Sequence, residues 1–202
     1  MDGWISDMRP EMQIELDGKL AIIAGAETFM TEALAAALAA NGAVVARQQT
    51  ALPDILIIAL PLAPNGRFDW SELHSQAQET GMAMKARGSG RIVFLMSTAA
   101  TIPMRRHPEY SIEMAAAYAA LRGLAMSLAP HVVVNGIGVG VIGEPACAGD
   151  PVMLGHTPVG RAGATSDICN AVLFLCDPLN SYLNGQLLAV DGGWSVGYGR
   201  SF

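Results

Sequence analysis

The sequence is poor in charged residues and contains no strongly basic stretch. Of its 202 residues only 15% are charged, and the formal net charge is -6 at pH 7. A nucleic-acid-binding surface needs clustered basic side chains, so this balance argues against nucleic acid as a partner. Hydrophobic residues make up 51% of the chain. That fraction is typical of a compact domain with a large core, or of one that also packs against other subunits.

Patterns typical of metal sites, disulfide frameworks and membrane segments are also missing. The cysteines Cys147, Cys169 and Cys176 form no CxxC pair, which favours buried, reduced thiols. The histidines, which lack metal-ligand spacing, are His74, His107, His131 and His156. No basic segment precedes a long apolar run, so the sequence predicts neither a signal peptide nor a membrane span. We therefore expect a cytoplasmic protein without a metal.

Uniformly apolar runs alternate with helical patterns along the chain. The expected strands are residues 19–25, 43–47, 53–61, 90–97, 131–140 and 186–193. The expected helices are residues 31–42, 69–87, 109–129 and 165–177. Strands that are apolar at every position are typical of a parallel sheet covered on both faces. The pattern predicts a doubly wound α/β fold in three layers, with an arm at 1–17, a domain at 18–195 and a tail at 196–202.

The order of these elements resembles the short-chain dehydrogenase/reductase family from about residue 17 to about residue 195. "GRIVFLMSTAA" resembles the strand that carries the family's catalytic serine, here Ser97, and Tyr110 lies at the family's usual distance from it. The stretch 159–194, "VGRAGATSDICNAVLFLCDPLNSYLNGQLLAVDGGW", is close to the family's last helix, turn and strand. The resemblance implies a Rossmann-like domain and NAD(P)-dependent oxidoreductase chemistry.

The glycine-rich turn that would hold the dinucleotide pyrophosphate is degenerate. In the family, its glycines let the backbone approach the phosphates at a helix N-terminus. Here the turn reads "AGAETFMT": Gly25 remains, but Phe29 and Thr31 stand at the other two glycine positions. Glu27 adds a negative charge beside the anion site. We expect Phe29 to occupy phosphate space, Gly25 to serve only as a turn residue, and this chain to bind no dinucleotide.

The segment between the second and third expected strands is too short for the family pattern. Only "QQTAL" connects them, where the family has a further helix, strand and helix that frame the adenine. Since a parallel crossover needs a dozen or more residues, we expect a truncated Rossmann-like sheet with this crossover deleted and no adenine wall. Arg47, at the family's ribose-binding position, is interpreted as a solvated surface arginine. The absence of asparagine from residues 66–134 removes the family's proton-relay asparagine.

The family's lysine, four residues after the tyrosine, is replaced by Met114. A tyrosine has an ordinary pKa near 10, and the lysine lowers it by its charge and also holds the nicotinamide ribose. Methionine offers neither a charge nor a donor. We therefore interpret Ser97 and Tyr110 as a vestigial pair, with a ligand-positioning role as the alternative.

The parts that build oligomers in this family look intact. The 109–129 helix is rich in small residues, which suits close packing on its own sheet, on a partner's helix, or on both with different faces. The 165–177 helix carries more apolar side chains than one sheet contact needs, namely Ile168, Val172, Leu173, Leu175 and Cys176. The C-terminal segment after the last expected strand carries Trp194, Tyr198 and Phe202, a candidate contribution to a partner's substrate site, with a flexible terminus as the alternative.

The resemblance favours a non-catalytic subunit of a hetero-oligomeric short-chain dehydrogenase. It would pair, two with two, with an active NAD-binding paralogue that oxidises a β-hydroxyacyl-CoA-type substrate, as in anaerobic aromatic degradation. The alternatives are a divergent but active NAD(P)-dependent reductase and a ligand-binding regulator without turnover. Arg105, Arg106 and His107 are interpreted as a solvated loop, with contact to a CoA phosphate as the alternative.

Overall fold

The computed structural model describes residues 14–25, 27–143 and 154–197, which form a six-stranded parallel sheet. The strands are β1 (Leu20–Gly25), β2 (Val44–Ala46), β3 (Ile55–Ala59), β4 (Gly90–Ser97), β5 (Val132–Val139) and β6 (Leu187–Val190). Their order across the sheet is β2-β1-β3-β4-β5-β6, and every neighbouring pair is parallel. The predicted Rossmann-like α/β class is confirmed.

Helices cover both faces of the sheet. They are α1 (Phe29–Ala40), α2 (Ser71–Arg87), α3 (Pro108–Leu128), α4 (Thr165–Cys176) and a short α5 (Trp194–Gly197). α2 and α3 pack on one face and α1 and α4 on the other. Successive strand residues point to opposite faces, so Ile22 packs towards α2 and α3 while Ile23 packs towards α1 and α4. Because both faces are covered, the central strands are apolar at almost every position.

The connection from β2 to β3 is the unusual part of the topology. Residues 47–54 alone cross β1 from the edge strand β2 to β3, and no additional helix or strand is described between them. The expected deletion is therefore present, but the premise that so few residues cannot connect parallel strands was wrong. β2 has only three residues, and the lateral step is two strand spacings, roughly 10 Å. Eight extended residues reach roughly 26 Å.

Side chains from α2 fix this connection against the sheet. The Thr80 hydroxyl donates to Gln49 at 3.1 Å, and Arg87 donates to the carbonyl oxygen of Pro53 at 2.9 Å. The Asp54 carboxylate then accepts the backbone N–H of Leu20 at 3.0 Å. The connection therefore lies on the α2 face, opposite α1, as successive right-handed crossovers require.

The apolar side chains of α4 are buried within this chain, which corrects the expectation that they offer surplus surface. Ile168, Val172, Leu173, Leu175 and Cys176 are all at most 8% exposed. The reason is that α4 packs against α1 as well as against the sheet. Phe174, at 37% exposed, is the large apolar side chain that α4 leaves accessible.

The amino-terminal end of the described chain packs into the core. Leu16 is fully buried and its N–H donates to the Asn41 carbonyl at 2.8 Å, so the end of the proposed arm belongs to the core. Cys169 and Cys176 are buried free thiols, whereas Cys147 lies outside the described residues. Within the described ranges, no cluster of side chains is suited to hold a metal ion, and no helix has the length and hydropathy to cross a bilayer.

Candidate functional site

A cavity of about 670 Å³ opens at the carboxyl ends of β1, β3, β4 and β5. β1 leads into α1 on one face, while β3 leads towards α2 on the other. Connections that leave on opposite faces open a crevice at this edge, and ligands of open α/β sheets bind there. The cavity lies at this switch point, with residues from the start of α1, from the segments after β3, β4 and β5, and from α5 in its lining.

Ser97 and Tyr110 are brought together beside this cavity. Ser97 ends β4, and its Oγ accepts the N–H of Ala99 at 3.2 Å. Tyr110 stands in the first turn of α3, is 1% exposed, and donates its hydroxyl to the carbonyl oxygen of Pro61 at 2.8 Å. Burial raises the pKa of Tyr110 to about 12, and the Ser97 hydroxyl opposes part of that rise by hydrogen bonding to the phenol. The phenol is therefore neutral, and its O–H already donates a hydrogen bond to a backbone carbonyl.

Residues 61–68, which we call the strap, hold the phenol in this state. The strap runs from the end of β3 towards α2 and lines the cavity. The Pro61 carbonyl oxygen accepts the hydrogen bond from the Tyr110 hydroxyl. The ring centroids of Phe68 and Tyr110 lie 5.8 Å apart. Arg67 forms an ion pair with Glu113 of α3 at 3.0 Å. The sequence pattern predicted a strand over residues 53–61 but did not predict the strap. Its signal was the turn-forming "PLAPNG" followed by an arginine and an aromatic residue.

Met114 lies one helical turn beyond Tyr110, is fully buried, and belongs to the core between α2, α3 and the sheet. No other lysine takes over the missing role. The sequence has two lysines, Lys19 and Lys85. Lys19 precedes β1, and Lys85 lies in the last turn of α2, where its Nζ donates to the Ser127 carbonyl. Both positions are at the amino-terminal edge of the sheet, away from the cavity.

The N-terminus of α1 is capped by its own side chains. The N–H of Thr28 donates to Thr31 Oγ1 at 2.9 Å, and the N–H of Thr31 donates to Thr28 Oγ1 at 3.3 Å. Thr31, at the third glycine position, is 1% exposed, while Phe29 lines the cavity and is 54% exposed. The Phe29 ring therefore borders the expected phosphate space with one side open to solvent. At the end of the helix, the backbone N–H groups of Thr28 and Thr31 donate to side chains of the same turn.

Gly25 has a structural role of its own. Its φ is +112°, and a Cβ at this position would lie 2.1 Å from the carbonyl oxygen of Ala59. The close approach of the ends of β1 and β3 therefore requires glycine, in agreement with the interpretation of Gly25 as a turn residue. Glu27 is exposed beside this turn.

The interpretation of Arg47 as a solvated surface residue was wrong. Its side chain is half-buried, and its Nη1 is enclosed without a hydrogen-bond acceptor among the described residues. The chain turns back over the sheet directly after β2, so the first residue of the short connection is partly covered. Arg47 is not part of the cavity lining.

The other predicted site residues are divided between the surface and the cavity. Arg105 and Arg106 are exposed, and His107 stands at the N-cap position of α3, where its side chain makes no capping hydrogen bond. Trp194 lines the cavity of its own chain, which the proposal of a tail directed at a partner's site did not anticipate. Tyr198 and Phe202 lie outside the described residues.

These residues do not fit a nicotinamide dinucleotide, the cofactor that the fold implies. Among the described residues of the lining, Arg67 alone is ionisable, and it is paired with Glu113. The pyrophosphate would meet a helix end closed by Thr28 and Thr31. The ribose would meet no ammonium at position 114, and the short connection after β2 offers no helix–strand–helix unit for the adenine.

Comparison with known proteins assigns the family. A family model described as enoyl-(acyl carrier protein) reductase matches residues 71–195, more than half of the chain. The chain belongs to the short-chain dehydrogenase/reductase family. It is 36% identical over 128 residues to the galactitol 2-dehydrogenase (L-tagatose-forming) of Cereibacter sphaeroides, an alignment covering 57% of this chain and 50% of that protein. It is 38% identical over 117 residues to the 7α-hydroxysteroid dehydrogenase of Escherichia coli K12, with coverages of 54% and 46%. The chain thus spans about half the length of these curated relatives.

Solved structures agree over a longer range. A 7α-hydroxysteroid dehydrogenase complexed with NADH and 7-oxo glycochenodeoxycholic acid superposes with a TM-score of 0.75 at 26% identity, covering 90% of this chain and 96% of that one. A gluconate 5-dehydrogenase of Beutenbergia cavernae with bound NADP gives the same TM-score at 23% identity, covering 90% and 98%, and so supports the fold alone.

Proposed function

We propose that this chain is a non-catalytic member of the short-chain dehydrogenase/reductase family that works beside an active NAD-dependent paralogue. The paralogue binds NAD and oxidises a β-hydroxyacyl-CoA-type substrate. The resemblance behind this substrate class is to the inactive subunit of the hydroxybenzylsuccinyl-CoA dehydrogenase of anaerobic toluene degradation. The expected assembly contains two copies of each chain.

The observation that carries the proposal is the state of Tyr110. Hydride transfer in this family needs a phenol that exchanges a proton with the substrate, and general acid–base catalysis works best when the pKa lies near the working pH. The Tyr110 phenol instead donates to Pro61, is buried under Phe68, and has its pKa raised to about 12. Met114 supplies no charge to reverse this shift.

An exposed face of α3 supports the partner in the proposal. Ile112 is 64% and Met126 82% exposed, and exposed small residues at helical spacing between them are Ala116, Ala119 and Gly123. The spacing alternates between four and three residues, which keeps all five on one stripe of the helix. Ala117 and Ala125 are buried against the sheet, so the small residues of α3 serve two different faces.

Co-expression with a full-length paralogue tests the assembly. We expect the two chains to purify together, and we expect Ala119→Glu, at the centre of the stripe, to separate them. Met82→Glu, which adds the same charge at a 58% exposed position on α2, is the matched control. A chain that purifies alone as a stable homo-oligomer and ignores the paralogue would contradict the proposal.

A divergent but active NAD(P)-dependent reductase is the second candidate. The relatives named above are dehydrogenases, and they favour this candidate more directly than the first. The cavity at the switch point and the adjacency of Ser97 and Tyr110 also favour it. NAD(P)H oxidation by the isolated chain with a panel of ketones separates the two candidates. Turnover that Tyr110→Phe abolishes would establish the second.

A further inference from the structure

The lining of the cavity at the switch point is mainly apolar. Its walls are mainly aliphatic and aromatic, with Leu60, Leu62, Met104, Ile142 and Trp194 among them. A volume of about 670 Å³ is within the range of pockets that enclose a drug-sized molecule. The lining is therefore suited to a ligand that buries apolar surface.

The polar groups of the lining are largely committed to partners in the chain itself. Thr28 and Thr31 bond to each other, and the Thr98 hydroxyl donates to the Val139 carbonyl at 3.4 Å. Arg67, the one ionisable side chain in the part of the lining that the structure describes, is 73% exposed and pairs with Glu113. From these residues a charged ligand would lose its hydration and gain no counter-charge that is not already neutralised.

We propose that the cavity at the switch point binds one uncharged, largely apolar small molecule. Ser97 lies in the lining; its Oγ accepts the N–H of Ala99 and hydrogen-bonds the Tyr110 phenol, so its remaining lone pair can accept a hydrogen bond from a hydroxyl of the ligand. The inference rests on the proposed function in one respect: the cavity is free of dinucleotide.

Binding of the uncharged fluorescent probe N-phenyl-1-naphthylamine to the purified full chain tests this inference. We expect saturable fluorescence enhancement with one probe per chain and no displacement by NADH at millimolar concentration. Ala63 lines the cavity from the strap and is solvent-exposed, so substitutions there are expected to leave the fold intact.

Two variants at Ala63 and one control sharpen the test. Ala63→Glu places a charge in the cavity and Ala63→Trp fills it, and each is expected to weaken probe binding at least tenfold. Met82→Glu, outside the lining, is expected to leave probe binding unchanged. Thermal unfolding by circular dichroism verifies that all three variants are folded.

The outcomes separate this inference from the proposed function. Absence of saturable probe binding, or equal binding by wild type and both Ala63 variants, overturns the inference while the non-catalytic assignment stands. NADH binding that leaves the probe in place overturns the non-catalytic assignment alone. Displacement of the probe by NADH overturns both.

Discussion

The two halves of the carboxyl edge have diverged to very different degrees. The half built by β4, β5 and the elements after them lies within residues 71–195, which match the family model, and it retains the serine and tyrosine positions. The half built by β1, α1 and the strap contains Phe29, Thr31 and the short connection 47–54. Both halves keep central strands that are apolar at almost every position, and both belong to one continuous sheet. The fold therefore depends on the burial pattern, whereas cofactor chemistry depends on a few particular side chains.

The largest expected effect tests whether the fold needs Gly25, the one glycine that remains of the glycine-rich turn after β1. Gly25→Ala would place a methyl group against the Ala59 carbonyl and is expected to lower the free energy of unfolding by roughly 4 kcal/mol. Gly66→Ala is the control, because Gly66 also has a positive φ of 94° but a Cβ added there would have no atom within 4 Å. It should cost about 1 kcal/mol. Equal losses in denaturant titrations would show that the contact with Ala59 is unimportant.

The second prediction asks whether a lysine at position 114 alone can restore the family's tyrosine–lysine pair in the retained half. Met114 is fully buried among apolar side chains, so Met114→Lys is expected to cost about 3 kcal/mol of unfolding free energy. Met114→Leu, which keeps the volume and adds no charge, should cost less than about 1.5 kcal/mol. A lysine variant as stable as the wild type, with a phenolate absorbance at 295 nm appearing near neutral pH, would contradict the account of Tyr110.

The third prediction concerns the pH dependence that Tyr110 confers. Because burial raises the pKa of Tyr110 to about 12, the neutral phenol stabilises the fold fully below about pH 10, the ordinary tyrosine value. This stabilisation is lost as the pH rises towards 12. Tyr110→Phe removes the bond to Pro61, should cost about 1–2 kcal/mol at neutral pH, and should flatten this decline.

Unfolding free energies measured from pH 9 to pH 12 check the third prediction. Tyr182→Phe, at a fully exposed tyrosine, is the control and should follow the wild-type curve. If the unfolding free energies of wild type and Tyr110→Phe change with pH in parallel, Tyr110 does not have a raised pKa in the folded state.

The smallest expected effect concerns the ion pair that fixes the strap to α3. Arg67→Ala is expected to change the unfolding free energy by only about 0.5 kcal/mol, because Arg67 is largely solvated. Faster amide hydrogen exchange confined to the strap is the expected local result. A loss above about 2 kcal/mol would mean that the strap contributes to the core rather than covering the site.

The sequence predicted the sheet because nearly every central strand position is buried, so the apolar runs marked β1, β3, β4 and β5 directly. It also predicted that Ser97 and Tyr110 form a pair, because the spacing between them resembles that of the family's serine and tyrosine. It did not predict that this helix, α4, packs on α1 as well as on the sheet, because an apolar helix residue can pack on a neighbouring helix or on a partner alike. The Tyr110–Pro61 bond joins residues 49 positions apart, which no local pattern encodes. Arg47 was misjudged for a similar reason, because its burial depends on the path of the connection after it.

Calorimetric titration of the isolated chain with NAD and NADH tests the central claim most directly, namely that the diverged half of the site no longer accepts a dinucleotide. The account predicts no saturable heat up to millimolar cofactor. A micromolar dissociation constant, equivalent to about 8 kcal/mol of binding free energy, would contradict it.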